Sequence, residues 1–272
     1  MLIENKSSSY PEIETRKREL CASYNKLPTI MKNIIIIIFF SSISIGFSQN
    51  EETSKKLYVL NINGAQIMAE PTINSMVIRD LKVGDEISVI EKLQTISSKT
   101  YKNENITLND YWVKINHNEL IGFIFLGDFT QIKPSLREIE NNYTNENFYS
   151  ASILGEKLKY EEKNRKVNYG KTEYIITDKI TYYKNGKRIY YVFDGCYHSK
   201  YIFHQLSFNE VYQQMKNFNL TYGVGLEGFS IDHPTFKEKS DTKYIFSDLG
   251  MTDEVEIIIN ENNISLLTGG CN

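Results

Sequence analysis

Residues Thr172–Phe193 read TEYIITDKITYYKNGKRIYYVF, two apolar-polar alternations separated by Asn185-Gly186. A period of two is the period of a strand, and Asn-Gly accepts the positive φ of a tight two-residue turn. The stretch is therefore a β-hairpin, and it sets the second half of the chain as a sheet domain. Just downstream, Ser207-Phe208-Asn209-Glu210 has the form of a capping box, with Ser at the N-cap and Glu three residues later. Phe208, Val211, Tyr212, Met215 and Phe218 follow at helical spacing, which predicts one short amphipathic helix laying that stripe on the sheet. Gly225–Ile231, Lys243–Phe246, Val255–Ile259 and Ile264–Leu267 read as further strands, the last two joined through Asn260–Asn263 as a second hairpin. Residues 148–272 are thus expected to form an α+β domain with an antiparallel sheet and one helix.

Upstream, the polar stretch 131–147 carries Pro134 and the run ENNYTNEN, and reads as a linker or a short helix around Ser135–Asn142. Before it, residues 57–130 show short apolar alternations (LYVLNI, AQIM, MVIRDL, EISVIEKL, YWVKI, LIGFIFL) with no helical period, the pattern of a small all-β barrel. Lys82–Asp85 and Asn118-Glu119 are turn signals, and Thr95–Asp110 is expected to be a long polar loop between two strands. The whole is a mainly β protein whose barrel segment, about residues 57 to 132, is expected to fold alone.

Composition limits function. With 31 basic and 34 acidic residues among 272, and 41% apolar residues, there is area for a core but no basic field to attract nucleic acid or an anionic membrane. Residues 31–49, MKNIIIIIFFSSISIGFSQ, have the build of a signal peptide: a charged start, an apolar run, then small residues up to Ser48. The apolar stretch is shorter than the roughly 20 residues a spanning helix needs. The expectation is translation from Met31, cleavage after Ser48 with loss of residues 1–48, and no membrane span in the exported product. Without those residues 25 basic and 30 acidic side chains remain, a charge of −5. The product is placed in the periplasm, at the cell surface or outside the cell.

In an oxidising compartment Cys196 and Cys271 are the remaining thiols, Cys21 being lost with the upstream segment. Two readings stand: one disulfide, worth about 4–5 kcal/mol on the chain-entropy model, or two free thiols with one a nucleophile. On the second reading Cys196 with His198 or His204 would be the catalytic centre of a cell-wall or protein hydrolase. Cys196, His198, His204 and His233 lack a metal-ligand spacing, so no metal is expected, and no phosphate loop or dinucleotide fingerprint is present to imply a cofactor. Gly223 and Gly225 read as a helix exit, and Glu161–Lys166 as a solvated charged loop.

Ala65–Thr72, then Val77-Ile78, Leu81, Gly84, Ile87 and Val89, then Trp112-Val113-Lys114-Ile115, Gly122-Phe123-Ile124 and Phe129 occur in an order that resembles the bacterial Src-homology-3 (SH3b) domain. The resemblance covers about a quarter of the chain. It departs from the family at Met68, where an Arg is common, at Glu70, where a Gly is, and at Phe123, where a Trp follows the Gly. It implies an SH3-like barrel and a non-catalytic binding or targeting role, with a cell-wall peptide or protein as ligand. Tyr111, Trp112 and Phe123 are the ligand-binding aromatics expected on that basis.

Overall fold

In the computed structural model, residues 55–140, 147–223, 234–247 and 254–271 are described. The signal segment 31–48, the upstream residues, the expected strand Gly225–Ile231, His233 and Gly225 lie outside them.

The first part of the chain is a curled antiparallel sheet. Its strands are β1 (Lys56–Val59), β2 (Ala65–Met68), β3 (Val77–Leu81), β4 (Glu86–Tyr101), β5 (Ile106–His117), β6 (Leu120–Phe125) and, after a 3-10 turn at Leu126–Asp128, β7 (Phe129–Thr130). They lie in the order β3-β2-β6-β5-β4-β1-β7. The alternation explains the curl, because Leu57, Val59, Ile67, Ile87, Val113, Ile115, Ile124 and Phe129 all turn inward to one small core. Asn118 and Glu119 sit at φ 51° and 67° at the tip joining β5 to β6, the turn read from the sequence.

One expectation fails here. The polar stretch 95–110 is not a loop but the outer half of a long hairpin, with Ile96 opposite Tyr111, Thr100 opposite Thr107 and Tyr101 opposite Ile106. Ser98, Thr100, Thr107 and Asn109 share one face, while Tyr101, Ile106 and Leu108 are buried on the other, where Lys99 reaches Asp128. A second correction concerns the connection. Ser135–Glu140 is strand β8, paired with β9 (Asn147–Ser152) in a two-stranded sheet, where a linker or short helix was expected.

The second part is an eight-stranded antiparallel sheet: β10 (Lys157–Tyr169), β11 (Thr172–Tyr183), β12 (Gly186–Phe193), β13 (Cys196–His204), β14 (Thr235–Lys239), β15 (Lys243–Ser247), β16 (Val255–Ile259) and β17 (Asn263–Cys271). Its order is β10-β11-β12-β13-β17-β16-β15-β14. The expected hairpins form: a turn at Lys184-Asn185 joins β11 to β12, with Gly186 already in the strand and neither Asn185 nor Gly186 at the positive φ expected, and the Asn260–Asn263 turn joins β16 to β17. Glu161–Lys166 is exposed but lies within β10, not in a loop. Hydrogen bonds from Lys159, Lys163 and Tyr182 hold the Glu161 carboxyl down to about 2.

Helix α1 (Phe208–Gly223) begins at the expected capping box: Ser207 N and Oγ donate to Glu210 Oε2 at 2.9 Å, and Glu210 N donates back to Ser207 Oγ. It is not a surface helix. Every residue from Val211 to Asn217 is buried, polar ones included. Its apolar stripe meets Phe203, Phe246 and Leu266 of the second sheet, and the same core continues into Tyr101, Leu108, Trp112 and Phe125 of the first. Both sheets therefore share one core around α1.

Candidate functional site

The face of α1 opposite its apolar stripe carries amides and a lysine, and these are the groups that tie the halves together. Asn217 Nδ2 donates to Leu60 O at 2.7 Å while its Oδ1 accepts from Ala151 N, also at 2.7 Å. Gln214 pairs with the backbone of β9 on both sides, accepting from Ile153 N and donating to Ala151 O. Gln213 Nε2 donates to Gly127 O at 3.2 Å. Deep between them, Asp128 accepts from Asn61 Nδ2 at 2.7 Å and from the Tyr101 hydroxyl at 2.5 Å, and pairs with Lys99 Nζ at 2.6 Å. Lys216 Nζ lies 2.8 Å from Glu104 Oε1 and 3.2 Å from Asn61 Oδ1.

This network has strong electrostatics and the arrangement of a lock. Each of these buried carboxylates has its own lysine. Burial lowers the Lys216 ammonium despite Glu104 beside it. Burial, followed by the Asp128 charge, raises the Tyr101 hydroxyl well above its ordinary 10, and burial raises Tyr212 likewise. None of Asp128, Glu104, Lys216 or Gln213 stands out in the sequence. The capping box locates α1, but periodicity marks which face is apolar and says nothing of what the polar face meets.

The three aromatics expected at a binding site are dispersed. Trp112 is 3% exposed, edge-on to Phe125 at 5.9 Å between centroids. Its ring is a core ring and presents no surface to a ligand, because position 112 falls on the hairpin face that α1 and the second sheet cover. Phe123 is half-buried across from Met68 and Lys114. Tyr111 alone lines an open cleft, of about 390 Å³, with Ile96, Asp110, Phe208, Asn209 and Tyr244. Lys92 Nζ sits 3.8 Å above the Tyr111 ring, and Phe208 packs on Tyr244 at 4.2 Å. The cleft is fixed in place: Asn209 Nδ2, in the first turn of α1, donates to Asp110 Oδ2 at 2.7 Å, and Glu210 Oε1 accepts from Thr130 Oγ1 at 2.7 Å.

Cys196 and Cys271 face each other across β13 and β17 and are bonded, with an S–S distance of 1.99 Å and Cα atoms 4.0 Å apart. A sulfur held in that bond is no thiolate, so the Cys196 nucleophile reading fails on this structure. His198 stacks on Tyr191 at 4.6 Å, and His204 is eight residues from Cys196 along the same strand, roughly 26 Å away. His204 is therefore not brought to Cys196, whereas His198 lines one pocket with Cys271 beside the disulfide. Among the described residues no group of three or more His, Cys, Asp or Glu side chains is placed to hold a metal ion. No helix among them is long and apolar enough to cross a membrane. Comparison with protein-family models, with curated proteins and with solved structures yields no match to the chain.

Proposed function

We propose that this is an exported bacterial binding protein whose SH3-like half-barrel, together with the start of α1, holds a cell-wall peptide or protein ligand in the Tyr111 cleft. The observation that carries the reading is the cleft itself: Tyr111 from the half-barrel faces Phe208 and Tyr244 from the second part across an open space of about 390 Å³. Aromatic rings at an open cleft are the usual anchors of a peptide interface. Lys92 over the Tyr111 ring and Asp110 at the wall offer both signs of charge, which suits the termini and side chains of a peptide. Export is supported by the signal-like pattern at Met31–Gln49 and by the disulfide.

The test is retention of the chain from residue 49 onward on purified peptidoglycan and on immobilised stem peptides. Wild type and Tyr111→Phe should be retained, and Tyr111→Ala should lose roughly tenfold in affinity. No retention of wild type, or equal retention of Tyr111→Ala, overturns the assignment. The hydrolase reading requires a Cys196 thiolate, which the disulfide withholds.

A further inference from the structure

A second surface lies on the other part of the molecule. The face of the second sheet that α1 covers at β13, β17 and β16 continues outward over β12, β11 and β10. The ladder fixes its floor: Tyr160, Thr181, Arg188 and Tyr201 form one transverse row, and Lys179, Tyr190 and Ser199 the next. Tyr201 is the last residue under the helix, stacked on Phe218 at 4.5 Å. Beyond it an open depression of about 440 Å³ is lined by Tyr160, Lys179, Thr181, Arg188, Tyr190 and Tyr197. Its rim carries apolar groups that strands normally hide: Leu158 is 63% exposed, Val192 55% and Tyr160 46%.

The cations there are set but not neutralised. The Arg188 guanidinium lies 5.0 Å from the Tyr190 centroid and 5.4 Å from that of Tyr201, and donates to Ser199 Oγ at 2.9 Å. Lys157 Nζ is 5.3 Å from the Tyr160 centroid. Among the described carboxylates none forms an ion pair with Arg188, Lys179 or Lys157. Glu162, opposite Lys179 in the ladder, accepts the Tyr160 hydroxyl instead. A guanidinium held between rings keeps N–H donors for a planar anion, and its orientation is already fixed.

The geometry points to a binding site for an acidic polysaccharide, its sugar rings lying on Tyr190, Tyr197 and Tyr160 and its carboxylate or phosphate groups on Arg188 and Lys179. Strands β11 and β12 are paired on both sides and the open edge of β10 lies beyond Tyr160, so over this floor recognition comes from ring faces and cations. Tyr160 and Arg188 are two strand spacings apart, roughly 10 Å, which places ring and cation under successive units of a chain. A nucleic acid also combines flat rings with anions, and the chain's formal charge of −3 favours neither polyanion, so oligothymidylate is one arm of the test.

The experiment is affinity electrophoresis of the chain from residue 49 onward in gels containing polygalacturonate, neutral dextran, polyglutamate or oligothymidylate. Retardation by polygalacturonate alone is expected. Arg188→Gln and Tyr190→Leu should weaken it roughly tenfold or more, and the exposed-site variants Lys179→Ala and Tyr160→Ala by several-fold with an unchanged melting temperature. Tyr111→Ala should leave it unaltered, which separates this surface from the peptide cleft. Equal retardation by polyglutamate would reduce the site to bare charge, retention by oligothymidylate would make it a nucleic-acid surface, and either result overturns the proposal. So does absence of retardation, or indifference to all four variants.

Discussion

Lys216 Nζ, from the middle of α1, lies 2.8 Å from Glu104 Oε1 at the tip of the β4–β5 hairpin, and neither side chain exposes more than 5% of its surface. The pair bridges the two sheets. Losing one partner leaves the other as a lone charge out of water, so Lys216→Met is expected to cost about 3–5 kcal/mol. Replacing both, in Lys216→Met with Glu104→Leu, should recover most of that loss, since two apolar groups need no partner. Urea denaturation of the single and double variants decides it, and a double variant as unstable as the single one would refute the account.

A continuous core implies joint unfolding. Trp112 packs on Phe125 in the first sheet and belongs to the core that includes Tyr212 and Phe246. Its fluorescence therefore reports on the junction, and it should change in the same transition as the far-ultraviolet circular dichroism. Residues 55–132 alone would expose Tyr101, Leu108, Trp112 and Asp128 to water, and are expected to remain unfolded, against the independent barrel read from the sequence. A folded 55–132 fragment, or two resolved transitions in the whole chain, would contradict this.

Alkaline pH should act on the same junction. Tyr101 and Tyr212 both have raised native hydroxyls, so above pH 10 the unfolded chain loses protons that the native state keeps, and stability falls as pH rises. Two such groups give a slope of about 2.7 kcal/mol per pH unit. Lys216 acts oppositely: its lowered native value means that the unfolded chain binds the extra proton up to 10.5, so stability rises with pH until that point. The expected profile is flat or rising into the region of pH 10 and steeply falling beyond. Tyr212→Phe, which removes a hydroxyl that has no hydrogen-bond partner, should make the fall shallower by about 1.4 kcal/mol per pH unit.

The Cys196–Cys271 bond closes a loop across 75 positions. Its removal in Cys196→Ser with Cys271→Ser should lower stability by about 2–4 kcal/mol, mainly through the unfolded chain. Thiol titration of the denatured, unreduced chain from residue 49 onward should find no free sulfhydryl. Ligand retention at the Tyr111 cleft should survive the double substitution, since neither cysteine lines it.

Local signals in the sequence located what local physics controls. Asn118-Glu119 marks a turn of positive φ, and Ser207 with Glu210 marks a helix start because free amides need acceptors, whereas Gly186 is needed where the backbone of β13 passes, since a Cβ there would run into Ile202 O. Long-range partners left no such trace. Ser97, Ser98, Thr100 and Thr107 read as a loop because polar residues on an exposed strand face resemble loop residues. Glu161–Lys166 misled in the same way. Gln213, Gln214, Lys216 and Asn217 carry no local mark of their burial, since the hydrogen bonds that hold them inside end on Leu60, Ala151 and Asp128, far away in the chain. Tyr111 was singled out from the sequence, but the cleft it lines draws part of its wall from Phe208 and Tyr244, which no local signal ties to it.

The inward amides of α1 also govern how this molecule could be recombined. A chimera cut at residues 131–147, the natural place to splice by composition, would strand Asn217 without Leu60, Lys216 without Glu104 and Gln213 without Gly127. Any exchange that keeps the protein folded has to carry Leu60, the 86–117 hairpin, Gly127 and the 208–223 helix as a single cassette, whatever seam the rest of the chain offers.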